Sequence, residues 1–336
     1  MILLMNSIVD DLQDPSSLPD MTTKTSLVQT HISNVIIADE FVYKIKKPVN
    51  FGFLDFSTLE KRLFYCNREV ELNKRLSQDI YLGVLPVLFD GRRHTLKSGN
   101  GDVVEYAVKM RRIPDERLMK SVFSRGELTN EHIEEIARVL AGFHRNAERN
   151  PQIDQFGKSE SFKVNTDENF DQVRKYIGIT IKQNEFDAIN KWTADFYKTN
   201  QALFAKRISD GKIRDCHGDL HMEHICFTEK LSIIDCIEFN ERFRYSDTLA
   251  DIAFLLMDLE YYGGYRYSDV LWNNYKRLAG EGDVESLLNF YKIYRAFVRG
   301  KVNSFQLDDQ AIGAKKKDEI VQTAGKYFGL AYSYIR

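Results

Sequence analysis

Two aspartates on either side of a predicted hairpin are the residues of this sequence best suited to do chemistry together. Asp219 lies in the polar run 216–224, directly after a histidine and a glycine. Two short apolar runs, 225–227 and 231–234, flank a polar turn and predict paired strands, and Asp235 follows the second run. A hairpin there would return Asp235 to the neighbourhood of Asp219. One carboxylate could then accept a hydroxyl proton while the other holds a metal ion, a pair that favours phosphoryl transfer from a nucleotide.

The residues before position 113 predict a small lobe rich in strands. Apolar and polar residues alternate there in several short runs, which is the pattern of strands with one buried face. Strands are expected over 27–32, 34–37, 41–46, 84–89 and 103–110, with one helix over 60–76. We also expect a short helix or turn between Leu12 and Pro19 that packs on this lobe.

The residues after position 113 follow a helical pattern instead, because apolar residues recur at spacings of three and four. Helices are expected over 130–147, 249–259, 285–304 and 314–334. The sequence therefore predicts an α+β, bilobal fold. Residues 1–112 would form an N-terminal nucleotide-binding lobe with a small antiparallel sheet and one helix. Residues 113–336 would form a mainly helical C-terminal catalytic and substrate lobe that contains the catalytic hairpin.

Charge and composition argue against several other classes of protein. The chain has 336 residues and a formal net charge of -2, which gives no support for nucleic acid or an anionic membrane as a partner. No apolar run approaches a membrane span, and the apolar opening 1–5 lacks the basic flank of a signal peptide, so a cytoplasmic location is expected. The four cysteines form no Cys-x-x-Cys pair, which disfavours a zinc or redox site. The oligomeric state leaves no signature in the sequence.

The two aspartates belong to a longer series of motifs. The series comprises His217-Gly218-Asp219, Asp235-Cys236-Ile237-Glu238, Asp247-x-x-x-Asp251, and the upstream segments 43–48, 54–62 and 81–84. Together these motifs resemble the aminoglycoside phosphotransferase-like branch of the protein-kinase-like superfamily, over roughly residues 10–305. The resemblance is closest to the uncharacterised group called aminoglycoside phosphotransferase family enzymes.

The resemblance implies a role for each matching residue. Asp219 would be the catalytic base or hydroxyl-orienting group, and Asp235 the principal Mg²⁺ ligand. Lys44 would be the lysine that binds the nucleotide phosphates, with Glu69 as its partner. Strand alternation puts Lys46 on the same face as Lys44, so either lysine could take that role, and both could instead form a solvated edge.

Two further contacts with ATP are expected, one from the segment 110–113 and one from the loop 30–34. Met110 would lie in the hinge 110–113, whose backbone would meet the adenine edge. The loop 30–34 would cover the phosphates, yet it contains no glycine, and Ser33 would donate hydrogen bonds in place of a glycine-rich backbone.

His224 is the main departure from the family pattern, since an asparagine usually stands there as a second metal ligand. Imidazole is a poor ligand for Mg²⁺, so we expect either that His224 marks a preference for Mn²⁺ or that a carboxylate such as Glu238 replaces it. His224 could also contact the nucleotide or the substrate, or mark weak catalysis.

The acceptor side is expected to involve a basic helix face. Arg295 and Arg299 are four residues apart and would share that face, so with Glu238 they are candidates for contact with an anionic acceptor. The alternative is a solvated face or salt bridges to nearby carboxylates. His144 is expected to be a packing histidine, and Asp251 to anchor the Asp219 loop.

The predicted function is ATP-dependent transfer of the γ-phosphoryl group to a hydroxyl of an unidentified small molecule. The chain would then be a small-molecule kinase that uses ATP with Mg²⁺ or Mn²⁺. The alternative is a nucleotide-binding pseudokinase that acts as a regulatory or interaction module, and transfer of AMP instead of phosphate also stays open.

Overall fold

The computed structural model describes residues 7–309 and 312–336, so the apolar opening 1–5 lies outside the described residues. The chain divides into two compact units. The first unit runs to Ser124 and includes Glu223–Glu241, and the second comprises Arg125–Met222 and Arg242–Arg336. Residues 113–124 and the hairpin segment therefore pack with the first unit, whereas the sequence placed both after the lobe boundary. The assignment of nucleotide binding to residues 1–112 and catalysis to residues 113–336 stays a prediction.

The predicted strands and helices occur in the predicted order, with further helices between them that were not predicted. The strands are β1 (Ser26–Gln29), β2 (Ser33–Ile37), β3 (Phe41–Lys46), β4 (Tyr81–Phe89), β5 (His94–Thr95), β6 (Asp102–Arg111), β7 (Ile213–Asp215), β8 (Ile225–Phe227), β9 (Leu231–Ile233) and β10 (Tyr245–Asp247). The helices are α1 (Ile8–Leu12), α2 (Leu59–Asn73), α3 (Met119–Ser124), α4 (Asn130–Asn146), α5 (Pro151–Asp154), α6 (Ser159–Val173), α7 (Gln183–Thr199), α8 (Gln201–Ser209), α9 (Glu241–Arg244), α10 (Thr248–Tyr261), α11 (Tyr265–Ala279), α12 (Glu285–Phe305) and α13 (Ala314–Ser333). The predicted α+β class is confirmed.

The first unit is built on an antiparallel sheet with the strand order β1-β2-β3-β6-β4-β5. One face packs on Leu12 and Leu18 from the start of the chain, which together with Tyr43 and Ile45 form an apolar cluster. This confirms that the segment before β1 packs on the small lobe. The opposite face carries Lys44, as expected from strand alternation.

Helix α2 begins after Thr58, whose side-chain oxygen accepts a hydrogen bond from the backbone N–H of Lys61. Its buried residues Cys66, Glu69, Val70 and Asn73 recur at helical spacing and lie on one face. That face packs on the sheet through a cluster that includes Cys66 and Val70 and against which Ile234 of the hairpin segment also packs. The same face therefore brings the polar side chain of Glu69 to the sheet.

The predicted hairpin is present in the first unit. β8 and β9 pair antiparallel, with Ile225 opposite Ile233. The backbone N–H of Ile233 donates to the carbonyl of Leu76 just after α2, at 3.1 Å. The hairpin is thus attached to the end of α2, and the residues that follow β9 are held beside that helix.

The second unit is mainly helical and packs around α10. Every residue of α10 from Thr248 to Tyr261 is buried, as expected for a helix that is apolar on all sides. Helices α6, α7, α12 and α13 contribute to the core that surrounds it. β7 and β10 form a two-stranded antiparallel sheet in this unit. Among the described residues, no helix combines the length and hydropathy that crossing a membrane requires.

Candidate functional site

The two lysines of β3 differ in what they contact. The Lys44 ammonium lies 2.7 Å from Asp235 Oδ1 and 2.9 Å from Glu69 Oε1. The Lys46 ammonium lies 2.6 Å from Glu69 Oε2 and also contacts Glu238 Oε1. Glu69 therefore joins both lysines, one to each carboxylate oxygen.

Exposure separates the two lysines. The side chain of Lys44 is 18% exposed, whereas that of Lys46 is 1% exposed. Lys44 is consequently the lysine that a ligand can reach. Lys46 lies between two buried carboxylates, so the expected contact between Lys46 and the nucleotide is not favoured.

The charges of this cluster control its protonation. Burial alone would lower the pKa of Lys44, but the carboxylates of Asp235 and Glu69 outweigh it and raise that pKa well above its usual value. Burial alone would raise the pKa of Glu69, and the two lysine ammonium groups overcome it and lower that pKa. The Lys44–Glu69 pair is therefore held in its charged form.

Glu238 is the third carboxyl group of the cluster. It is 7% exposed, and burial raises its pKa despite the opposing charge of Lys46. The sequence placed Glu238 against the substrate, whereas the structure places it against Lys46. The reason is that a buried ammonium group is tolerated only with charged or polar partners.

Asp235 has an unusual backbone. Its φ of +61° makes it the one residue other than glycine with positive φ among residues 7–309 and 312–336. An aspartate pays about 1 kcal/mol or more for that conformation, and such strain concentrates at functional sites. The backbone N–H of Asp235 donates to the Tyr81 hydroxyl at 3.1 Å, and that of Cys236 to Asn73 Oδ1 at 2.9 Å. These contacts hold the strained turn.

His224 is close to Asp235, as the expected metal pair requires. Its Nε2 lies 3.6 Å from Asp235 Oδ2. The side chain of Asp235 is 44% exposed and that of His224 is 14% exposed, so solvent reaches both. A carboxylate suits Mg²⁺, while an imidazole nitrogen suits Mn²⁺ and other transition metals better. This donor pair fits a divalent cation.

The predicted phosphate loop contains a buried hydroxyl group, that of Ser33. Ser33 is 1% exposed and pairs with Lys46 across β2 and β3, so both side chains share one sheet face. Its Oγ has no hydrogen-bond partner within the described residues. A buried hydroxyl without a partner calls for a water molecule or a ligand group.

Two backbone donors of the predicted hinge 110–113 already have partners, and the contact of this segment with adenine stays a prediction. The backbone N–H of Arg111 donates to the Ile80 carbonyl and that of Arg112 to the Glu40 carbonyl, each at 2.8 Å. These two donors are therefore not available to an adenine edge. Met110 is half-buried and packs against the cluster that contains Val108.

In the second unit, the Asp219 loop is held through its backbone. Asp251 Oδ2 accepts from the N–H of His217 at 2.7 Å, and Asp251 Oδ1 from the N–H of Gly218 at 2.8 Å. Gly218 has a φ of +87°, which suits glycine at this turn. Asp219 follows with its side chain 35% exposed, and His221 Nε2 lies 3.5 Å from its Oδ2.

Asp251 anchors the loop, as predicted. It is fully buried, and burial alone would raise its pKa, but the hydrogen bond and the charge of His144 help to lower it to about 2. His144 Nδ1 lies 2.8 Å from the Tyr275 hydroxyl, and His144 Nε2 lies 3.3 Å from Asp251. His144 is thus a packing histidine with two buried partners.

The two arginines predicted to bind the acceptor behave differently. Arg295 is 5% exposed and donates to the carbonyls of Ala250 and Gly218 at 3.0 and 2.9 Å. It therefore supports the Asp219 loop, and its expected contact with the acceptor is replaced by this role. Arg299 lies against the Tyr327 ring, with 5.5 Å between the guanidinium carbon and the ring centroid.

Sequence reasoning missed three residues that hold the site. Tyr81 and Asn73 bind the backbone next to Asp235, and Asp258 Oδ2 accepts from the N–H of Met222 at 2.9 Å. Helical spacing gave a signal for two of them, because Asn73 is four residues after Glu69 and Asp258 is seven after Asp251. Tyr81 had no such signal.

Comparison with known proteins identifies the family of the chain. A model described as the phosphotransferase enzyme family matches residues 65–284. Uncharacterised proteins of Mycobacterium tuberculosis (strain ATCC 25618 / H37Rv) and Mycobacterium bovis (strain ATCC BAA-935 / AF2122/97) are each 35% identical over 275 residues, covering 82% of this chain and 53% of theirs. The chain thus spans about half the length of the curated relatives it matches.

One solved structure supports the fold. A candidate aminoglycoside phosphotransferase from Ralstonia eutropha JMP134 has a TM-score of 0.51 and 12% identity, covering 97% of this chain and 97% of its own. This likeness concerns the fold alone, and it confirms the predicted kinase-like α+β fold. Since the family model covers more than half of the residues, the chain belongs to the phosphotransferase enzyme family.

Proposed function

We propose that this protein is an ATP-dependent phosphotransferase that moves the γ-phosphoryl group to a hydroxyl of a small molecule. The observation that carries the proposal is the cluster of Lys44, Glu69 and Asp235, in which one reachable ammonium group contacts a buried and an exposed carboxylate. Phosphoryl transfer needs a positive charge for the phosphates and a carboxylate for a metal ion in this kind of arrangement.

Each residue of the cluster takes one task. Lys44 binds the nucleotide phosphates as a point charge, and Glu69 holds Lys44 in place. Asp235 and His224 hold Mg²⁺ or Mn²⁺, and the exposed Asp235 carboxylate supports that assignment. When bound, the divalent cation supplies neutralisation of phosphate charge. The buried Ser33 hydroxyl supplies a further donor once its loop meets the phosphates.

Asp219 acts on the acceptor. Its carboxylate orients the acceptor hydroxyl and accepts its proton as the new bond between oxygen and phosphorus forms. The bond between the γ-phosphorus and the oxygen of the leaving ADP breaks in the same step. The products are the phosphorylated acceptor, ADP and one proton, so atoms and charge balance. Arg299 remains the candidate for contact with an anionic acceptor.

The second candidate is a nucleotide-binding pseudokinase. His224 favours it, because a histidine stands where the family pattern has an oxygen ligand for the second metal site. The retained Lys44, Glu69, Asp219 and Asp235 favour catalysis, since a module that only binds nucleotide has no need of Asp219. Transfer of AMP is a third outcome that the same residues would permit.

A product analysis separates these three functions. The purified protein is incubated with ATP and a mixture of hydroxyl compounds, with Mg²⁺ and Mn²⁺ in parallel, and Asp219→Asn serves as the control. We expect ADP and a phosphorylated acceptor in the wild type and neither product in the variant. AMP attached to the acceptor would instead indicate nucleotidyl transfer. ATP binding without any product, under both metals, would support the pseudokinase.

A further inference from the structure

Helix α10 presents two buried carboxylates to the segment that contains Asp219. Asp251 accepts from the backbone N–H groups of His217 and Gly218, before Asp219. Asp258 accepts from the backbone N–H of Met222, after Asp219. The two carboxylates are seven residues apart, so they lie on one face of α10 about two turns from each other. One helix therefore holds the loop at both ends.

The second of these anchors has a partner on α13. The Tyr327 hydroxyl donates to Asp258 Oδ1 at 3.4 Å. Its ring is 1% exposed and stacks on Tyr261, with 3.7 Å between ring centroids and 10° between planes. The stacking fixes the ring, so the hydroxyl is directed at Asp258 by packing as well as by the hydrogen bond.

Arg299 completes the network on the other side of Tyr327. Burial alone would lower the pKa of Arg299, and the neighbouring groups Tyr327, Asp219 and Asp258 raise it instead. Arg299 Nε is buried and has no hydrogen-bond partner within the described residues. Tyr327 thus contacts both Arg299 and Asp258, and Asp258 in turn binds the backbone of Met222.

Helix α13 lies outside the part of the chain that the family model covers. That match ends at residue 284, whereas α13 spans Ala314–Ser333. Ala324, Tyr327, Phe328 and Ala331 bury the helix in the core of the second unit. The contact with Asp258 is therefore a contribution of this chain beyond the matched region.

We propose that Asp258 and Tyr327 are positioning residues for the Asp219 loop, so that α13 takes part in catalysis without touching the reacting atoms. The proposal rests on the phosphotransferase function proposed above. Its physical basis is that a shift of about 1 Å in a catalytic group can cost about 100-fold in rate. Loss of the anchor at Met222 would permit such a shift in Asp219.

Steady-state kinetics of variants in the full chain test this role. Asp258→Leu removes the acceptor of the Met222 N–H, and we expect kcat to fall about 10- to 100-fold with no change in ATP affinity. Asp258→Asn keeps an acceptor oxygen and should recover most of kcat. Tyr327→Phe removes only the hydroxyl and should lower kcat several-fold.

Tyr334→Phe is the matched control. Its hydroxyl contacts Glu260, which is also on α10 and pairs with Ser268 and Lys292, so the change removes the same kind of contact at another position. Thermal unfolding of both Phe variants would show comparable losses of stability. If kcat falls equally in Tyr327→Phe and Tyr334→Phe, or if Asp258→Asn is as slow as Asp258→Leu, the positioning role is wrong.

Amide hydrogen exchange keeps this test separate from the proposed function. We expect faster exchange at the Met222 amide in Asp258→Leu and in Tyr327→Phe, and unchanged exchange in Tyr334→Phe. Unchanged exchange in all three variants would overturn the proposal even if the wild type turns over ATP. If the wild type does not turn over ATP but the Met222 amide shows the expected exchange pattern, the proposed phosphotransferase function is wrong. The anchoring of Met222 by Asp258 would then still be established. If Asp258→Leu does not fold, Asp258→Asn and Tyr327→Phe carry both measurements.

Discussion

Asp235 and Asp219 are held in place by different kinds of interaction. In the first unit, Asp235 is contacted directly by a lysine at 2.7 Å and sits on a strained, left-handed backbone. In the second unit, Asp219 lies in a loop whose backbone N–H groups bind the buried carboxylate of Asp251. The first arrangement controls charge, and the second controls position.

This difference predicts which substitutions should change stability, which should change nucleotide binding and which should change turnover. A change in the first region leaves buried charges without partners and alters the electrostatic field that a phosphate would meet. A change in the second region frees backbone groups and alters geometry while the charge of Asp219 remains. Stability, nucleotide binding and turnover should therefore respond separately in the two regions.

The largest loss of stability is expected for Asp251→Ala. The change leaves two backbone N–H groups, His144 and the Arg295 guanidinium, which lies 4.0 Å from Asp251, without their buried anion. Removal of such a partner costs about 3–5 kcal/mol. Urea unfolding measures the loss. The control is Asp210→Ala, because Asp210 pairs with Lys206 on an exposed helix surface, where loss of an ion pair should cost far less stability. Equal losses of unfolding free energy in Asp251→Ala and Asp210→Ala would contradict the claim that the buried Asp251 stabilises the fold more than the surface ion pair of Asp210.

The two lysines of β3 offer a sharper comparison within one region. Lys46→Met leaves the buried Glu69 and Glu238 short of positive charge and should cost about 3 kcal/mol of unfolding free energy. Lys44→Met, at a more exposed position, should cost less stability but should weaken ATP binding more. Denaturation and calorimetric titration with ATP measure both effects. A larger loss of ATP affinity in Lys46→Met would reverse the assignment of the phosphate-binding lysine.

Lys301 in the second unit should change stability only through pH, and its pKa shift has the opposite sign from that of Lys44. Burial lowers the pKa of Lys301 from 10.5 to about 8, and its ammonium contacts the side-chain oxygens of Asn169 and Gln172 instead of carboxylates. Between these two pH values the unfolded chain binds more protons than the folded chain, so stability should rise with pH. The rise should be at most about 3 kcal/mol.

Urea unfolding at pH 8 and pH 10 tests this expectation. The rise should appear in the wild type and be absent in Lys301→Met, which has no group to titrate there. Parallel pH profiles for the two proteins would show that the buried lysine does not lose its proton in the folded state.

The sequence predicted those parts of the fold and site that have a periodic signal. The hairpin of β8 and β9 followed from two apolar runs around a polar turn, and strand alternation placed Lys44 and Lys46 on one face. Alternation could not choose between the lysines, since the choice depends on exposure in the folded chain. No helix was predicted over α6, where Asn165 and Asn169 occupy part of the buried face and interrupt its apolar pattern.

The acceptor prediction shows another limit of sequence reasoning. Helical spacing put Arg295 and Arg299 on one face, but it could not show that Arg295 donates to two backbone carbonyls. An arginine that holds a loop and one that faces a ligand have the same pattern in the sequence. Only the location of their partners separates them.

The most direct test of the account measures ATP affinity and ATP turnover in parallel for Asp235→Asn and Asp219→Asn, with Mg²⁺ present. Asp235→Asn should lose both metal-dependent ATP binding and turnover. Asp219→Asn should retain wild-type ATP affinity and lose turnover by about 100-fold or more. Retained turnover in Asp219→Asn, or unchanged metal-dependent binding in Asp235→Asn, would contradict the division between a region that controls charge and a region that controls position.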